Sequence, residues 1–110
     1  MISYEDFLKV DIRVGTVLAI YDFDEARNPS YKLTIDFGPE IGVKKSSAQF
    51  KLEQTKKDLL GKQVLAVVNF PVKKIANFNS EVLVLGLRGE HGGWIAVTPM
   101  REVENGERLA

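Results

Sequence analysis

The segment "YKLTIDFG" alternates apolar and polar residues without interruption. Tyr31, Leu33, Ile35 and Phe37 share one face, and Lys32, Thr34 and Asp36 share the other. A period of two is the mark of a half-buried β-strand. "DIRVGTVLAIYDF" alternates less strictly and predicts a long first strand with Ile12, Val14, Thr16, Leu18 and Ile20 on one face, where Gly15 suggests a bulge or bend. Between these two strands "EARNPS" is a loop, since Asn28-Pro29-Ser30 is turn chemistry. After "PEIG" the pattern gives a third strand from about Lys44 to Gln49. A short helix follows, with Thr55 and Asp58 placed as a capping box, Leu59 and Leu60 as its apolar contacts and Gly61 as its stop.

The next two strands differ in kind. "QVLAVVNF" (Gln63 to Phe70) and "EVLVLGL" (Glu81 to Leu87) are nearly continuous apolar runs, so both faces of each are expected to be covered. "PVKKIANFNS" between them reads as a polar and basic loop. "HGGWIAVTP" gives a sixth short strand, and "VENGERLA" a turn at Asn105-Gly106 with a loose tail. Three strands, a short helix and two more strands is the element order of an all-β OB-fold. This is a five-stranded Greek-key barrel with its helix between strands three and four, here with small N- and C-terminal extensions. Residues 1–110 are expected to make one such domain. One small barrel has a single interior and cannot hide both faces of two apolar strands. The surplus face is covered either by a second body, most simply an identical subunit, or by an N-terminal helix around Tyr4, Phe7 and Leu8.

Composition narrows the function. With 45% hydrophobic and 27% charged residues the chain is globular, and no apolar run approaches the roughly 18 residues of a membrane span. The N-terminus carries acidic residues where a signal peptide would be basic, and cysteine is absent, so a cytoplasmic location is expected. Absence of cysteine also removes disulfides, thiolate metal sites and a cysteine nucleophile; no cofactor and no metal are expected. His91 is the only histidine and sits in the turn "RGEHGG". Asp22, Asp24 and Glu25 lie in a loop without His, Cys or a phosphate-cradling Gly motif. Catalysis is not expected.

The net charge of zero conceals a cationic middle third. Residues 44–74 carry eight lysines against Glu53 and Asp58, a local charge of +6. In an OB-fold the third strand and the loop joining strands four and five border one face, so Lys44, Lys45, Lys73 and Lys74 would converge there. They would meet phosphates, while Ser46, Ser47, Gln49 and Asn69 would bond base edges or backbone oxygens. Phe50, Phe70 and Phe78 would offer a stacking surface for unpaired bases, or else serve as core. Each lysine has the alternative of being an ordinary solvated charge.

"DIRVGTVLAI", "ARNPSYKLTIDFG", "IGVKKSSAQF" and "LLGKQVLAVVNFPVKKIANFNSEVLVLG" together resemble the CsaA family of tRNA-binding, chaperone-like proteins, over almost the whole chain. The resemblance implies a homodimer, tRNA binding, and the holding of unfolded or pre-secretory polypeptides in protein export. The binding surface it implies comprises Arg13, Lys32, Lys44, Lys45, Ser46, Ser47, Gln49, Asn69, Lys73, Lys74, Ser80 and Glu81. For Glu81 a structural role remains the alternative, in which it orders its loop by accepting hydrogen bonds from Ser80 or nearby amides. Where synthetase-type relatives carry "HPNADKL", this chain has "EARNPSYKL". The contacts of the 24–31 loop therefore do not carry over. The two partners differ physically: a tRNA binder should be salt-sensitive, and a polypeptide binder should use apolar grooves and tolerate salt.

Overall fold

The computed structural model describes residues 1–110. Helix α1 (Tyr4–Leu8) leads into β1 (Ile12–Asp22) and β2 (Tyr31–Asp36). The short helix α2 (Gly38–Ile41) precedes β3 (Val43–Ala48), and α3 (Lys56–Leu59) precedes β4 (Gln63–Val67). Then come a hairpin of β5 (Lys73–Ile75) and β6 (Phe78–Ser80), the short β7 (Leu83–Val84), and a second hairpin of β8 (Gly86–Arg88) and β9 (Trp94–Ala96).

Strands β3-β2-β1-β4-β7 form one antiparallel sheet. Its open edge on β3 is met by residues 80–82. The Glu81 N–H donates to the Lys45 carbonyl at 2.8 Å, the Lys45 N–H to the Glu81 carboxylate at 2.9 Å, and the Ser47 N–H to Ser80 Oγ at 3.0 Å. Two side chains thus accept the amides that a neighbouring strand would otherwise bond, and the sheet curls into a nearly closed barrel without a bare edge. With α3 between the third and fourth strands, this is the expected OB-fold.

The inward row of β2 forms the centre of the core: Leu33, Ile35 and Phe37 are buried against Val17, Phe50, Leu59, Val64, Ala66 and Val84. The capping box of α3 is present in both directions, Thr55 Oγ1 accepting the Asp58 N–H and the Asp58 carboxylate accepting the Thr55 N–H. It aims Leu59 into the core and leaves Leu60 outside.

Five expectations need correction. In β1 the core is met by Gly15 and Val17, the latter opposite Ile35, and not by the expected row, whose Thr16 donates outward to Asn105 Oδ1. The register then slips between Val17 and Ala19, which leaves Leu18 51% exposed and turns Ile20, opposite Leu33, toward the core. The bulge does not sit at Gly15. A Cβ there would lie 2.6 Å from Ile35 Cγ2 and 2.8 Å from Phe37 Cδ1, so Gly15 is required by close packing of β2. "PVKKIANFNS" is a β-hairpin, not a loop, turning at Ala76, whose φ is +52°. The second apolar run is split: Leu85 donates to the Leu65 carbonyl and accepts from the Val97 N–H, after which β8 leaves the barrel to pair with β9. The tail is not loose, because Val14 accepts from the Gly106 N–H and donates to the Glu107 carbonyl, and Leu109 donates to Ile12. Gly106, at φ +95°, makes the turn that lays the tail along β1.

The second apolar run is not covered on both faces within one chain, since Leu83 and Leu87 remain exposed, whereas in the first Val64, Ala66 and Val67 are buried, Leu65 and Val68 are half-buried, and Phe70 at its end is exposed. Helix α1 does not serve as the cover: it buries none of its own residues and leaves Tyr4 and Leu8 in solvent. No helix is long and apolar enough to cross a membrane.

Candidate functional site

A groove of about 380 Å3 opens between the β5–β6 and β8–β9 hairpins. Its floor is core: Ala48, Phe50 and Val84 are buried, with Gly86 against Trp94 and Phe50. One wall carries Lys73 and Ile75 from β5 with Ser80 from β6, the opposite wall carries Leu83, Leu85 and Trp94, and Ser47 and Gln49 enter from β3. Arg88, paired with Trp94 across the β8–β9 hairpin, sets its guanidinium carbon 4.8 Å from the indole centroid. A cation at that distance is attracted by the ring face and stiffens the indole. The groove therefore combines apolar walls, one large aromatic, hydroxyl and amide groups, and the Lys73 cation, with Arg88 stacked on the indole that forms one wall. That set suits a chain with flat apolar groups and anionic links. A second hollow of about 240 Å3, lined by Phe70, Pro71, Val82 and Leu83, adjoins it across Lys73 and Ser80.

Strand geometry sorts the residues expected from the sequence. Ser47, Gln49, Lys73 and Ser80 are brought together in the groove. Lys45 continues the outer row of Ser47 and Gln49, and is exposed. Neighbours in a strand point to opposite faces, so Lys44 shares the inward row of buried Ser46 and Ala48 and is half-buried, and Lys74 points away from Lys73. The two lysine pairs do not converge as pairs; one member of each faces the groove side. Ser46 is fully buried and donates from Oγ to the Val82 carbonyl at 2.9 Å. Glu81 takes the structural alternative, with the Lys45 amide as donor.

Three more residues are engaged elsewhere. Asn69 accepts the Asp11 N–H at 3.0 Å and donates to the Lys9 carbonyl at 2.8 Å, pinning the chain between α1 and β1. Arg13 donates from Nε to Asp11 at 2.6 Å and from Nη1 to the Gly106 carbonyl at 2.9 Å. The Asp11 hydrogen bond holds its pKa above the ordinary value, and the guanidinium anchors the C-terminal tail. Lys32 lies over the rings of Phe23 and Phe78. Within the cationic third, Lys51 and Lys56 are paired with Asp22 at 3.2 and 3.0 Å, and their hydrogen bonds, that of Lys56 foremost, lower the Asp22 pKa.

Of the aromatics offered as a stacking surface, Phe50 is core, Phe78 is half-buried against Phe23, and Phe70 is exposed. Trp94 and Arg88 were not anticipated. The available signal was the hairpin itself, because a turn at "GEHGG" puts Arg88 opposite Trp94. His91 lies in that turn with an exposed side chain, and its N–H donates to Glu53, which also accepts the Gly93 N–H. No three His, Asp or Glu side chains gather at one point.

Residues 12–108 match the family described as "Putative tRNA binding domain". The chain is 32% identical over 108 residues to a methionine–tRNA ligase of Porphyromonas gingivalis, aligning 98% of its own length but only 15% of the ligase. Among solved structures it is similar to the CsaA chaperone protein of Picrophilus torridus, at 51% identity and a TM-score of 0.93 with both chains covered in full. It is likewise similar to chaperone CsaA of Bacillus anthracis, at 48% identity and a TM-score of 0.92, covering 100% of this chain and 99% of that one. The groove, the barrel that frames it and these likenesses over the whole length lead to one conclusion: the chain belongs to the tRNA-binding domain family and, within it, to the CsaA family.

Proposed function

We propose that this protein binds tRNA, taking unpaired nucleotides into the groove between the two hairpins. The observation that carries the reading is the make-up of that groove, where Lys73 on one wall faces Trp94 on the other, Arg88 lies over the indole, and Ser47 and Gln49 supply hydrogen-bonding groups. Phosphates would meet the lysine and arginine, bases would stack on Trp94, and the family to which residues 12–108 belong supports the same partner. Catalysis has no part in this reading. The test is binding across a salt series. With about two or three phosphate contacts, from Lys73, Arg88 and Lys45, log affinity for tRNA should fall against log salt with a slope of roughly −1.5 to −3. A flat slope would contradict a phosphate-gripping site.

A chaperone-like role, holding unfolded or pre-secretory polypeptides, is the second reading. It is favoured by the apolar walls of Ile75, Leu83, Leu85 and Trp94 and by the adjoining hollow beside Phe70. The chaperone names of the two solved relatives support it. Denatured polypeptide should then bind with little response to salt; binding as steeply salt-dependent as that of tRNA would sink the apolar account.

The working unit in this proposal is a cytoplasmic homodimer. Leu18, Leu60, Leu83, Leu87 and Ile95 are all at least two-fifths exposed, more large apolar surface than a lone small barrel needs to show. Sedimentation at micromolar concentration should give about twice the 12.3 kDa chain mass. A stable monomer would contradict the dimer, and recovery of the chain with exported material on cell fractionation would contradict the location.

A further inference from the structure

The β5–β6 hairpin lies outside the five-stranded sheet, yet it supplies Lys73 and Ile75 to the groove wall. Its base is tied to β3 through Ser80 and Glu81. Its tip is held differently. Lys32, on β2, places Nζ 4.8 Å from the centroid of the Phe23 ring and 5.6 Å from that of Phe78. The two rings meet edge to face, with centroids 5.4 Å apart and planes at 62°. Phe23 is buried, whereas Phe78 opens β6 directly across from Ile75. No ion pair of the chain involves Lys32. Glu25 borders the same small cavity without pairing to it. The ammonium group is therefore held by ring faces rather than by a carboxylate, and cation–π attraction of this kind is directional enough to seat the ring beneath it.

We infer that Phe23, Lys32 and Phe78 form a latch that fixes the hairpin tip against the β1–β2 loop, and that through Ile75 and Lys73 this latch sets the groove wall. Lys32 is then a positioning residue, acting through two rings instead of on a phosphate. The consequence for tRNA rests on the function proposed above; the latch itself does not.

Hydrogen exchange of the amides of residues 73–80, measured without tRNA, tests the latch directly. Lys32→Gln and Phe78→Leu should each speed that exchange by about threefold to tenfold, the range expected for loss of one such contact. Lys32→Arg, which keeps a cation over the rings, should retain the slow exchange. The double variant Lys32→Gln with Phe78→Leu should add little to either single one, because both remove the same interaction. In tRNA binding, Phe78→Leu should weaken affinity although it removes no charge, and Lys32→Gln should leave the salt slope unchanged. If instead Lys32→Gln reduces the slope by about 0.7 to 0.9 with hairpin exchange unaltered, Lys32 is a phosphate contact and the latch is wrong. Unchanged exchange in Phe78→Leu overturns it as well. A wild-type chain that fails to bind tRNA overturns the functional reading, and the latch is then judged by the exchange rates alone.

Discussion

Reversing Lys73 and Arg88 together to glutamate should lower tRNA affinity about a hundredfold. A hydrogen bond to a charged group is worth about 1.5 to 3 kcal/mol. Losing two at the low end of that range removes about 3 kcal/mol, and each 1.4 kcal/mol is a decade in affinity. The added negative charges would also repel the backbone they face. The control is the double reversal of Lys44 and Lys74, which changes net charge by the same amount but alters side chains that point away from the groove. That pair should cost only a few-fold. Equal losses from the two double variants would mean that tRNA senses total charge and not this groove. Lys73 and Lys74 are exposed, where substitutions usually shift stability by no more than about 0.5 kcal/mol, so lost binding can be read as lost contact there.

Phe50→Ala should show the opposite signature, a large loss of stability. Phe50 is 1% exposed and belongs to the core that floors the groove, where Gly86 admits it closely. Emptying such a site in a core costs about 3 to 5 kcal/mol, against a total of about 5 to 15 kcal/mol for a domain of this size. In urea denaturation the midpoint should fall by a large fraction, with tRNA affinity lost only as the folded population falls. A Phe50→Ala protein of unchanged midpoint that no longer binds tRNA would return Phe50 to the role of a base-stacking surface.

The contrast between Phe50 and Trp94 shows how far the sequence alone could be read. β2 and the α3 capping box were plain because each depends on local periodicity or a fixed spacing, and Tyr31, Leu33, Ile35 and Phe37 all point inward as their alternation requires. The bulge at Leu18 was hidden because one extra residue reverses every later side chain, and nothing in "GTVLAIY" marks where it falls. Adjacent polar residues misled for a related reason. "KKSS" looks like one cluster, yet a strand sends Lys45 and Ser47 outward and Ser46 into the core. Asn69, Arg13 and Glu81 resemble binding groups in sequence but serve as staples, and their partners Asp11, Gly106 and Lys45 lie 58, 93 and 36 positions away. Such pairings exist only once the barrel has closed.

Trp94 is the only tryptophan in the chain and lies in the groove wall, so its emission reports on the groove without a label. A titration of the wild-type protein with tRNA, excited selectively at the indole and corrected for absorption by the nucleic acid, tests the central claim most directly. Occupation of the groove by an unpaired nucleotide should quench or shift the Trp94 emission to saturation. The titration midpoint should follow the affinity measured independently and move to higher tRNA concentration as salt is raised. Tight tRNA binding that leaves Trp94 emission unchanged through saturation would place the contact elsewhere on the barrel and contradict the account.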